Sequence, residues 1–196
     1  MLGNDTFPRE AKFGGQEFGL YCAAVATLVG WFSKHLGFCF ELLKKQPSLE
    51  PRNIVTITVP LEYEVECLSA ALEVDDSTAL QVINALTLTV ENKKEHCSIA
   101  GNLITPVFIG IGENKLLRPV WGILSEPFLF LLHELRYRYC SDWDDAVNGR
   151  EQVFRNDLYT LLLSDRFYKL NRNALLKSGG QRITDVDAFI LYEACA

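Results

Sequence analysis

With 196 residues, 48% hydrophobic and 11% aromatic, the chain has apolar material for one large core or two small ones, which excludes a disordered protein. Its formal net charge of −6 makes the surface as a whole a poor non-specific binder of nucleic acid. That charge is uneven: from Asn148 to Arg182 seven basic residues stand against three acids, a local +4 that leaves −10 for the rest. A solvated charged face is the plain reading of such a stretch.

The first ten residues, MLGNDTFPRE, lack the basic, apolar pattern of a secretory signal. Six cysteines (22, 39, 67, 97, 140 and 195) form no C-x-x-C pair, which speaks against zinc. Reduced thiols in the cytoplasm are the expectation.

In chain order, Gln16 to Lys45 reads as one long helix with Gly37 as its candidate break, closed by Pro47 and Pro51. Its apolar run Phe18–Phe32 is 15 residues with two glycines inside, short of the roughly 20 needed to cross a bilayer. It reads as a core helix, with no membrane partner. Ile54–Val59 is a strand by its β-branched content. Leu61–Ala71 and Thr78–Leu86 read as two short helices, with Asp76 or Ser77 capping the second. After the polar stretch VENKKEHCS, Leu103–Ile111 and Lys115–Leu124 predict a hairpin around Gly112-Glu113-Asn114.

Two helices, a turn and a hairpin resemble a winged-helix arrangement. Its second helix, STALQVINAL, carries no Lys or Arg, so docking of a protein suits it better than reading DNA. Ser125-Glu126-Pro127 then opens a helix running to about Tyr139, and Ser141 caps another to about Leu163. Arg166–Lys177 and Arg182–Glu193 read as strands about the turn Ser178-Gly179-Gly180.

On the helix from Ser141, the residues Trp143, Val147, Phe154, Leu158 and Leu161 share one face, and Glu151 falls on that stripe. An acid on a core-facing stripe costs free energy unless it is paired. Arg150 or Arg155 could hold it at the stripe's edge. In the last strand, alternation puts Asp185 and Asp187 on one face with Ile183, Phe189 and Leu191, and both faces are largely apolar, as in a central strand. Two aspartates on one strand face repel unless a cation lies beside them, and hard cations such as Mg²⁺ take such oxygens. Alternatively Asp185 ends the turn and Asp187 alone is unusual.

An inward acid on a helix, a turn, then a strand with aspartates resembles the PD-(D/E)XK, or restriction-endonuclease-like, nuclease superfamily. The segments that carry the resemblance are NGREQVFRNDLY and GGQRITDVDAFILYE, and it covers about Asp142 to the C-terminus. It implies a core of a helix bearing Glu, a hairpin, and a strand bearing an acid-x-lysine pair. By this resemblance Glu151 is the helix acid, Asp187 the metal ligand and catalytic carboxylate, Asp185 a helper, and Mg²⁺ the cofactor. Nucleic acid would be the substrate of the intact protein. The acid-x-lysine pair does not follow: Glu193 has Cys195 two positions on. The expectation is a chain that stops before the third strand, inactive alone, with a strand edge open to homodimer pairing.

The expected fold is α+β: a recognition or docking region over 1–140, helical with a small winged-helix-like, hairpin-containing middle, and a partial restriction-endonuclease-like core over 141–196. The rival readings are a non-catalytic protein-interaction module and a winged-helix-like DNA-binding regulator through residues 60–124.

Overall fold

The computed structural model describes residues 7–93, 105–112, 114–119, 127–161, 167–169, 174–178, 181–186 and 190–192, with side chains through 154 and at 156, 157 and 160. The fold is α+β. By contact the chain divides into two compact units, 1–143 and 144–196.

The first unit opens with a hairpin, β1 (Lys12–Phe13) against β2 (Gln16–Glu17). Gly14 and Gly15 make its turn at φ +60° and +85°, a region that side chains disfavour. Pairing of Gln16 and Glu17 delays the long helix, so α1 spans Phe18–Lys45. It runs unbroken through Gly37. Its inward face carries Phe18, Tyr21, Val25, Leu28 and Phe32, all buried. Phe7, Phe13, Phe18 and Trp143 close one end with ring centroids 4.8 to 6.2 Å apart.

The strand expected from Ile54 begins later. Residues Arg52–Val55 form a single helical turn, α2, and β3 is Ile57–Pro60. The cause lies on α1: His35 Nε2 sits 2.8 Å from the Ile54 carbonyl, and Cys39 Sγ donates to the same oxygen at 3.3 Å. That carbonyl is thereby satisfied without a strand ladder.

Next come α3 (Leu61–Leu72) and α4 (Asp76–Ala85). The cap of α4 is Asp75, one residue before the expected Asp76 and two before Ser77. Its Oδ1 accepts from Thr78 N at 2.9 Å and from Ser77 Oγ at 2.5 Å. These hydrogen bonds, the one from Ser77 first, hold the Asp75 carboxyl at about 2, below the usual carboxylate range.

Glu73 ends α3 in the left-handed region at φ 55°, where a Cβ is strained. Glu73→Gly is expected to stabilise the first unit by about 0.5–1 kcal/mol. A thermal melt followed by circular dichroism checks it, and a lower midpoint would contradict it.

After α4, β4 (Thr87–Leu88) runs parallel to β5 (Phe108–Gly110), and β5 turns back into β6 (Lys115–Arg118). The sheet order is β3–β6–β5–β4. A strand, two helices and a hairpin, with the first strand paired to the last, is the winged-helix order. The strand β4, which the sequence did not signal, extends its edge. α5 (Pro127–Arg138) packs Phe130, Leu131 and Leu135 into the same core. α6 (Cys140–Leu161) follows, its first four residues in this unit.

In the second unit, β8 (Ala174–Ser178) and β9 (Gln181–Val186) form an antiparallel hairpin in which Leu175 faces Asp185 in register. β7 (Phe167–Lys169) pairs antiparallel with β10 (Ile190–Tyr192). The strand expected over 182–193 is described in two parts, with 187–189 outside the described residues. Its two described parts pair with different partners, and among the described residues β9 pairs only with β8, so it is not a central strand there. Alternation of side chains cannot reveal this, because it reports faces and not hydrogen-bond partners.

Candidate functional site

Three carboxylates define the site that the sequence points to. Glu151 lies on α6 and is half-buried. Ala146, five residues earlier, is buried, whereas Val153 and Phe154 are 52% and 64% exposed. The apolar stripe therefore does not close over Phe154, which corrects the expectation of a core-facing face there. Helical spacing identifies a face and not what covers it. Asp185 holds its register position on β9, the strand after the hairpin turn. Asp187 lies outside the described residues, directly after the end of β9 at Val186.

Among the described residues no three His, Cys, Asp or Glu side chains converge as a metal-binding group. The donor chemistry of Glu151, Asp185 and Asp187 is uniform, with carboxylate oxygens and no soft ligand, and it suits a hard divalent cation.

In the first unit, buried polar groups gather in four places. Glu64 on α3 and Arg118 on β6 form an ion pair in which Arg118 Nη2 donates to both carboxylate oxygens of Glu64, with Glu64 fully buried. The Arg118 guanidinium also lies 5.7 Å from the Phe108 ring centroid. Glu134 on α5 is fully buried as well. Its Oε1 accepts from Asn92 Nδ2 at 2.9 Å and from Arg138 Nε at 2.5 Å. These two clusters tie elements together and present no open reactive group.

A third cluster centres on Gln81 of α4. Its Nε2 donates to Gly14 O at 2.9 Å and lies 3.4 and 3.3 Å from the hydroxyls of Tyr21 and Tyr139. Burial, with Tyr139 beside it, pushes the Tyr21 hydroxyl above its usual range, so it stays protonated and donates to Phe13 O. The fourth is the His35–Cys39 pair. Burial raises the Cys39 thiol, and a protonated thiol already donating to Ile54 O is no nucleophile.

The face presented by α3 and α4 has a marked sign. From Asn53 to Asn92 there is no Lys, Arg or His, against seven acids. On α4 the exposed side chains are Asp76, Ser77, Leu80 and Asn84. Such a face repels phosphate.

Searches with the chain matched no family model, no curated protein and no solved structure.

Proposed function

We propose that the chain is part of a divalent-metal-dependent nuclease that hydrolyses phosphodiester bonds of DNA. The observation supporting this is the order of the second unit. α6 with Glu151 is followed by the antiparallel hairpin β8–β9, whose second strand carries Asp185 and ends one residue before Asp187. Asp187 and Asp185 would hold Mg²⁺, and Glu151 would orient that ion or hold a second. A bound divalent ion would supply charge stabilisation and a more acidic water. The seven basic residues between Asn148 and Arg182 would draw the phosphate backbone towards these acids.

The first unit would then serve recognition or docking. Its acidic α3–α4 face favours a protein partner over direct DNA reading by that unit. The free thiols Cys22, Cys39, Cys67 and Cys140 suit a reducing compartment such as the cytoplasm.

The 196 residues contain no acid-x-lysine pair after Asp187. Supercoiled DNA incubated with this polypeptide and Mg²⁺ or Mn²⁺ is therefore expected to stay intact. A polypeptide that adds a strand bearing such a pair is expected to cleave, and Asp187→Asn to lower that rate on the order of a hundredfold or more. Cleavage that persists unchanged in Asp187→Asn would contradict the proposal.

A further inference from the structure

We infer that His35, Cys39 and the Ile54 carbonyl together hold one borderline-soft divalent cation, Zn²⁺, as a clip between α1 and α2. His35 and Cys39 stand four positions apart on α1, the spacing that brings two side chains of one helix to a common point. Their donor atoms do meet: Nε2 and Sγ lie 3.4 Å apart. α2 supplies the third donor. The Ile54 carbonyl oxygen is 2.8 Å from Nε2 and 3.3 Å from Sγ, so nitrogen, sulfur and oxygen close a triangle.

Hydrogen bonds alone leave that triangle incomplete. The imidazole N–H and the thiol S–H bring two hydrogens to three contacts. When both point at Ile54 O, the edge between Nε2 and Sγ has none of its own. A cation serves all three donors at once. Zinc–donor distances of about 2.0–2.3 Å set tetrahedral donors roughly 3.4–3.6 Å apart. The two edges to sulfur are already within about 0.3 Å of that, and the Nε2–O edge opens by about half an ångström. The ion then stands to one side of the triangle, with a fourth position for water.

The two side chains are held ready by packing. Cys39 is buried, and the fully buried Phe32 ring lies 6.1 Å from the imidazole. Thiolate and imidazole favour Zn²⁺ over Mg²⁺, which takes oxygen, so this site is chemically distinct from the carboxylates of the second unit. On binding, the thiol proton passes to solvent, sulfur bonds to the metal as thiolate, and the imidazole takes its Nδ1–H tautomer. Burial makes that proton harder to remove, which keeps the dissociation constant modest, on the order of a micromolar. A search for C-x-x-C does not find the site, because its pair is H-x-x-x-C along one helix and its third donor is backbone.

Co²⁺ stands in for Zn²⁺ as a spectroscopic probe, titrated into the reduced full chain with millimolar Mg²⁺ present to occupy carboxylate sites. The expected result is a thiolate-to-cobalt absorption band that saturates at one equivalent and is abolished by Zn²⁺. Cys39→Ser and His35→Gln each keep a hydrogen-bond donor for Ile54 O, and a thermal melt verifies that both fold. The band is expected to vanish in Cys39→Ser, and the Co²⁺ affinity to fall about tenfold or more in His35→Gln. Zn²⁺ at about 100 µM is expected to raise the melting midpoint of the parent chain and of neither variant. A parent chain with no thiolate band up to about 100 µM Co²⁺ overturns the inference and leaves the triangle a hydrogen-bonded contact. A band that persists in Cys39→Ser overturns it in favour of another cysteine, and an affinity unchanged in His35→Gln overturns the role of the imidazole and the clip with it.

Discussion

Replacing Arg118 with methionine is expected to destabilise the first unit by about 3–5 kcal/mol. The variant leaves the Glu64 carboxylate fully buried without its cation, 54 positions away in the sequence. Removing one member of a buried pair costs more than the pair contributes, because the survivor's desolvation is no longer offset. The double variant Glu64→Leu with Arg118→Met is expected to recover most of the loss. Arg118 Nε has no acceptor among the described residues, so the apolar replacement also removes an unsatisfied donor. Urea unfolding followed by circular dichroism measures both. A single variant within about 1 kcal/mol of the parent would show that the pair is not closed as described.

Gly14→Ala is the second large effect. At φ +60° a Cβ strains the backbone, and here it would also lie 2.5 Å from Cε1 and Cζ of Tyr139 and 2.6 Å from Gln81 Nε2. The tyrosine ring cannot retreat freely, since its hydroxyl shares Gln81 with Tyr21. Backbone strain and overpacking together amount to about 2–5 kcal/mol. The turn is pinned further by Gly14 N donating to Asp142 Oδ2 at 2.7 Å. Gly15→Ala is the control. It sits at φ +85° with nothing within 4 Å of its Cβ, so it carries only the backbone cost, about 1–2 kcal/mol. Equal losses in the two variants, measured by the same unfolding experiment, would rule out the contact with Tyr139.

Local pattern was legible in particular places. The two helices after Pro60 and the hairpin about Gly112 follow from apolar spacing and turn residues, and both are present. The β1–β2 hairpin was also written in the sequence, as Gly-Gly between Lys12-Phe13 and Gln16-Glu17, yet an apolar run directly after it reads as the start of a helix. Long-range pairing was not legible. Nothing local tells β3 to choose β6, or divides 182–193 between two partners. The turn at 52–55 depends on His35 and Cys39 from another element.

The proposed site is read from residues that break a local rule. Glu151 stands out as an acid on an apolar stripe. Glu64 breaks the same rule, lying with Leu61, Val65 and Leu68 on one face of α3, and the structure assigns it to Arg118. The stripe alone therefore does not carry the assignment of Glu151. The order of helix, hairpin and Asp-Val-Asp carries it, and that order predicts where a divalent ion binds.

Mn²⁺ titrated into isotope-labelled protein, with amide signals followed by nuclear magnetic resonance, tests this most directly. Paramagnetic broadening is expected first at residues 184–188 and 151, and it is expected to vanish from both in Asp187→Asn. The acidic stretch 62–76 is the competing site within the same molecule. Broadening that begins there, and leaves 184–188 sharp, would contradict a metal centre on the aspartate strand.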